Sequence, residues 1–167
     1  MRTIRFRVAV SAADTVAAVD RVTDFARYPE LSPDVHSVAV HPATPDGRTH
    51  STWAMNFRRG VMRWTEWEHT DRDSGRVDFT QTDGDFDEFR GHWQLCPTPG
   101  GTQVLLVVHY DFGIESLAGI MDPIAERVIK RSALRVLSGL FGQVTVLEGG
   151  AALHDLADAA PAAHPSP

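Results

Sequence analysis

The chain opens on a strict alternation: Ile4, Phe6, Val8 and Val10 share one side, with Arg5, Arg7 and Ala9 between them. A period of two predicts a half-buried strand. Ser11 and Asp14 are N-cap candidates for a short helix through Val16, Val19 and Val22, and residues 24–27 predict a second helical turn stopped by Tyr28-Pro29. Further strands are predicted at 35–40, 50–57, 61–69 and 76–82, separated by turn formers at 42–47, 58–60 and 71–75. Phe89, Gly91, Trp93 and Leu95 then alternate with Arg90, His92 and Gln94, and a Pro- and Gly-rich turn at 97–101 leads to a return strand at 102–112. From Asp122 the period changes. Ile124, Val128, Leu134, Leu137, Phe141 and Val144 recur at helical spacing, which predicts one long helix to Leu147 with Pro123 in its first turn.

A helix with a single apolar stripe needs a sheet to bury that stripe. Strands grouped apart from helices predict an α+β fold: a curved antiparallel sheet of seven strands around the C-terminal helix, with two short helices after strand one. Such a sheet leaves a cavity against the helix. This suits a binder of small molecules or an enzyme with an apolar substrate.

Composition narrows the classes. With 167 residues one domain is expected, over residues 1–148, followed by a flexible tail at 149–167 where Ala, Pro, Asp and Ser dominate. Hydrophobic residues at 43% and charged residues at 23% are ordinary for a soluble domain. The net charge of −6, without a basic block, argues against nucleic acid as a partner. The single cysteine, Cys96, rules out an internal disulfide, and with no basic neighbour it makes a poor nucleophile. No apolar run approaches the ~20 residues of a membrane helix, and no leader pattern is present, so a cytoplasmic protein is expected. The eight histidines are scattered without metal-binding spacing, and no metal or cofactor is expected. Asp83, Asp85 and Asp87 lack the glycine and the distal glutamate of a calcium loop. Arg127, Lys130, Arg131 and Arg135 predict a basic helix face, either solvated or able to dock an acidic carrier protein.

The order of elements resembles the START or Bet v 1-like (SRPBCC) superfamily with its helix-grip fold. Phe86-x-x-Phe89-x-x-x-Trp93, Thr98-Pro99-x-Gly101-Thr102 and Asp111-Phe112 are similar to a stretch of bacterial polyketide aromatase/cyclases. Tyr28-Pro29-x-Leu31 stands where that group has a Trp-Pro-x-Leu turn, and Trp64 where it carries a pocket tryptophan. The group's strand-four arginine is Glu68 here, and its tyrosine after the Trp-Pro turn is Val35. The resemblance therefore implies a fold, a cavity and an aromatic lining, but not the group's catalytic residues.

The resemblance puts Trp64 in the cavity, and Glu66 and Glu68 follow it by strand parity. A carboxyl there would be partly desolvated and its pKa raised, which suits a proton donor or acceptor in enolisation or dehydration. The alternative puts both on the solvent face, paired with Arg58, Arg63 or Arg76. Tyr28, Trp53, Trp64, Phe79, Phe89, Trp93 and Tyr110 form the candidate ligand-contacting set. His109 is a weaker acid–base candidate. Two functions follow from the resemblance. One is a polyketide cyclase or dehydratase of secondary metabolism, its substrate free or on an acyl carrier protein. The other is a non-catalytic carrier or binding protein for a quinone, lipid or secondary metabolite. Either suits a monomer or a homodimer.

Overall fold

The computed structural model describes residues 1–58 and 60–153. Eight strands among them form one antiparallel sheet. They are β1 (Arg2–Val10), β2 (Val35–His41), β3 (Thr49–Phe57), β4 (Gly60–Asp71), β5 (Arg76–Gly84), β6 (Glu88–Thr98), β7 (Gly101–Asp111) and β8 (Val144–Glu148). Their order in space is β2-β3-β4-β5-β6-β7-β1-β8. Between β1 and β2 lie α1 (Thr15–Val22), a 3-10 turn (Phe25–Arg27) and α2 (Tyr28–Leu31), while α3 (Glu115–Phe141) joins β7 to β8.

The period-two pattern builds the inner face of the sheet. Ile4, Phe6, Val8 and Val10 of β1 are buried, as are Val104, Leu106, Val108 and Tyr110 of β7. The two strands pair with Phe6 opposite Leu106 and Val8 opposite Val104. Ala125, Val128, Ile129, Ala133, Val136 and Leu137 of α3 meet this face, and Val19 and Val22 of α1 join the same core. Asp14 caps α1, its carboxylate accepting from the Ala17 amide at 3.1 Å.

The elements after β7 depart from expectation in three ways. First, α3 begins at Glu115 rather than near residue 122, so Pro123 lies within the helix. A proline there deprives the Gly119 carbonyl of its helical donor. Gly119 is exposed, so its carbonyl is open to solvent. Second, α3 stops at Phe141. Gly142 has φ +81°, a conformation that ends a helix at little cost only for glycine. Third, Val144 and Leu147 belong to β8, not to the helix. Val144 lies opposite Val10 and Val146 opposite Val8, adding an eighth strand to the expected seven.

Smaller differences occur at other ends. Tyr28-Pro29 opens α2 instead of stopping the helical run, because proline fits the first turn. The β6–β7 hairpin turns at Pro99 and Gly100, with Thr98 paired to Gly101. Gly150–Leu153 forms a 3-10 turn whose Leu153 is buried in the core. The rest of the expected tail, 154–167, lies outside the described residues.

Candidate active site

Strands β3 and β4 pair with Trp53 opposite Trp64, Ser51 opposite Glu66 and Thr49 opposite Glu68. Parity carries Trp64, Glu66 and Glu68 to the inner face together. Glu66 is 4% exposed and Glu68 1% exposed, so the solvent-face alternative fails. Among the described residues no arginine or lysine pairs with either carboxyl.

Their partners are neutral. The Trp64 indole Nε1–H donates to Glu66 Oε2 at 3.0 Å, and the Trp53 indole donates to Ser51 Oγ at 2.7 Å. Ser51 passes its own hydroxyl hydrogen to Glu68 Oε1, and Thr49 Oγ1 donates to Glu68 Oε2 at 3.0 Å. Glu68 receives two hydroxyl hydrogens and is served best as the carboxylate. Glu66 receives one indole hydrogen and faces apolar surroundings. Burial, and next the charge of Glu68, push Glu66 well above the usual carboxylate range. Burial also raises Glu68, but hydrogen bonds from Ser51, Glu66 and Thr49 pull it back. The two carboxyls titrate together, and the stronger upward push falls on Glu66.

Glu66 looks into a cavity of about 80 Å³. Trp53, Trp64, Phe79, Phe89 and Trp93 of the sheet form one wall, Ile129, Ser132, Ala133 and Val136 of α3 face them, and Phe25 and Tyr28 close one side. Trp53 and Trp64 are nearly parallel, at 4° with ring centroids 5.9 Å apart, and Phe89 leans on Trp64 at 4.9 Å. Both indole N–H groups are occupied by the carboxyl network, so the two tryptophans offer a ligand only their faces. The Tyr28 hydroxyl is also committed, donating to the Val22 carbonyl at 2.5 Å, and burial keeps it protonated.

The structure thus gathers seven of the expected residues around one cavity: Glu66, Tyr28, Trp53, Trp64, Phe79, Phe89 and Trp93. Two lie off it. Glu68 stands behind Glu66, toward Thr49. Tyr110 is fully buried and spends its hydroxyl on the Asp122 carbonyl at 3.1 Å. Val35 does reach the wall, so the tyrosine expected from the resemblance is replaced by hydrocarbon at the cavity itself. Ser132 is the polar residue that sequence reasoning missed. Its signal was a serine on the same helix face as Ala125, Ile129 and Val136.

The basic helix face is not a free surface. Lys130 is buried and bonds Glu126 at 2.8 Å. Arg131 grips Asp34 with two bonds of 2.7 Å, and Arg135 reaches the same carboxylate at 3.2 Å. These contacts pin α3 to the start of β2. His109 points to the outer face, bonded to Thr3 at 2.9 Å. Among the described residues no group of His, Cys, Asp and Glu is placed to hold a metal ion, and no helix is long and apolar enough to cross a membrane.

Comparison with known proteins bears on the family and the fold. Residues 19–136 match the family described as polyketide cyclase / dehydrase and lipid transport. Among solved structures, a Thermus thermophilus protein, TTHA0849, is 25% identical with a TM-score of 0.70, covering 83% of this chain and 94% of its own. A Streptomyces aromatase/cyclase, Zhui, is 15% identical with a TM-score of 0.71, covering 84% and 92%. A START superfamily protein from Mycobacterium smegmatis is 14% identical with a TM-score of 0.70, covering 82% and 94%. The last two likenesses concern the fold alone. No curated protein matches the sequence.

Proposed function

The chain belongs to the polyketide cyclase / dehydrase and lipid transport family, and from that premise we propose that it promotes cyclisation or dehydration of a polyketide intermediate. One observation carries this reading. Glu66 is a carboxyl with no cationic partner among the described residues, its pKa pushed up by burial, on the wall of a largely apolar cavity. A carrier gains nothing from burying such a group, whereas a neutral carboxylic acid donates to a carbonyl at neutral pH.

The step is balanced at a single residue. As a carbon–carbon bond forms between an enol carbon and a ketone carbon of the folded chain, Glu66 gives its proton to the ketone oxygen. The enol hydroxyl returns a proton to Glu66. In the following dehydration Glu66 protonates the leaving hydroxyl, which departs as water, and takes the proton lost by the adjacent carbon. Glu68 keeps the negative charge throughout and thereby keeps the proton on its neighbour. The flat faces of Trp53 and Trp64 hold the reacting chain in a folded shape, which supplies the proximity such a reaction needs. The cavity of about 80 Å³ is small beside the ~300–1,000 Å³ typical of ligand pockets, so the ligand enters by widening it. The substrate arrives free or on an acyl carrier protein, in the cytoplasm.

A second reading has one observation behind it. Apart from Glu66, Ser132 and the committed hydroxyl of Tyr28, the wall is built from aliphatic and aromatic side chains and Met55. That suits a carrier for a hydrophobic ligand. The test is product distribution from a reactive poly-carbonyl thioester, followed by mass spectrometry, with tryptophan fluorescence reporting binding. The first reading expects products that depend on the protein and a fall of ~10²-fold or more in Glu66→Gln with binding kept. Unchanged products beside tight binding would establish the carrier.

A further inference from the structure

The outer face of the sheet bears a second concavity. At about 430 Å³ it is several times more spacious than the inner cavity of about 80 Å³. Strand register arranges its floor in two rows. Trp67, Thr80, Arg90 and His109 follow one another across β4, β5, β6 and β7, and His69, Asp78 and His92 across β4, β5 and β6. Arg48, from the turn before β3, lays its guanidinium over the Trp67 ring at 4.4 Å.

The charges in this groove are unbalanced. Arg76 is committed to Asp78 at 3.0–3.2 Å. Arg48 and Arg90 have only long contacts, 3.9 Å to Asp46 and 3.5 Å to Glu88, and neither acid lines the groove. The lining itself therefore carries three arginines, Arg48, Arg76 and Arg90, against the single carboxylate of Asp78, on a protein whose net charge is −6. An arginine fork matches a phosphate, and the outer face of the guanidinium that covers Trp67 can stack on a flat ring. Burial, and next the charge of Arg76, hold the partly buried His92 below the usual histidine range, which leaves its imidazole neutral and able to donate.

We propose that this groove is a binding site for a phosphate monoester carrying a flat ring. The phosphate lies between Arg48 and Arg90, and the ring rests near Trp67. A bare phosphate would leave most of the groove unfilled. The site stands apart from the carboxyl pair, with the sheet between them, and Phe79 is the residue common to both hollows.

Calorimetric titration with adenosine monophosphate tests the assignment, with inorganic phosphate and adenosine as partial probes. We expect saturable one-to-one binding that weakens as salt rises, because the arginines are partly exposed. Arg90→Ala and Arg48→Ala should each weaken it by roughly fivefold. Neither residue touches the Glu66 network, so any cavity activity should persist. Absence of saturable binding at low salt overturns the proposal. So does binding indifferent to both arginines, or phosphate binding as tightly as the monophosphate. Sedimentation provides a further check: a dimer split by Arg90→Glu, with no nucleotide binding, would make this face a contact between copies and overturn the assignment.

Discussion

Replacing Glu66 by Gln should uncouple stability from pH in a predictable direction. The Gln side chain copies the neutral acid: its oxygen accepts from the Trp64 indole, as Glu66 Oε2 does at 3.0 Å, and its amide hydrogens face Glu68. In the parent, the folded-state pKa of Glu66 lies well above the ordinary 4.5, through burial first and the charge of Glu68 second. As pH rises, the unfolded chain therefore gives up this proton before the folded protein does. Between the two pKa values the folded state binds more protons, so stability falls as pH rises. Below the unfolded value both states are protonated and the difference between the two proteins is constant. Above it, the Gln variant should gain on the parent by ~1.4 kcal/mol per pH unit, until the folded pKa is reached. For a chain of this size that is ~3–6 °C in melting temperature per unit. Urea denaturation at about pH 5, 6, 7 and 8, a range starting just above the unfolded glutamate value, measures it. Parallel stability curves would mean that Glu66 ionises like an exposed glutamate, and the proton-donor role would fall with it.

Three further outcomes are expected. Trp64→Ala should cost ~3–5 kcal/mol in denaturant unfolding by opening a void against Trp53, Phe86 and Phe89, and should weaken binding of a flat apolar ligand seen by fluorescence. Asp34→Ala strips the shared acceptor from Arg131, Arg135 and Ser132 and should cost ~2 kcal/mol, read from the urea midpoint. Leu153→Ala should lower stability by ~2 kcal/mol or more by calorimetry, since this side chain is buried in the core.

Much of the sheet was legible because β1, β6 and β7 carry a two-residue period of their own. Phe89, Trp93 and Leu95 face inward whatever the rest of the chain does. Strand β4 was different. Both of its faces mix charge with aromatic carbon, so the inward direction of Glu66 and Glu68 came from the resemblance that placed Trp64, with parity doing the rest. What parity cannot give is depth. That Glu66 meets the cavity while Glu68 turns to Ser51 and Thr49 depends on the β3–β4 register, a relation between strands. Ser132 escaped notice because its position depends on the rotation of α3, which the Asp34 grip on Arg131 and Arg135 fixes. The end of α3 was misjudged because Val144 continues the helical spacing by coincidence, while one glycine at φ +81° turns the chain into β8.

The place of β1 in the sheet has a consequence for synthesis. It lies between β7 and β8, the last two of the described strands to be made. Its apolar side, with Ile4, Phe6, Val8 and Val10, emerges from the ribosome before the other strands of the sheet and finds no partner until residues 101–111 and then 144–148 follow. At ~5–20 residues per second that wait lasts on the order of 10 s. During it the nascent chain exposes an unpaired, hydrophobic strand edge of the kind that other chains can add to. Such a protein has reason to be held by chaperones during translation, and its yield in a cell should depend on translation speed and temperature more than the stability of the finished fold would suggest.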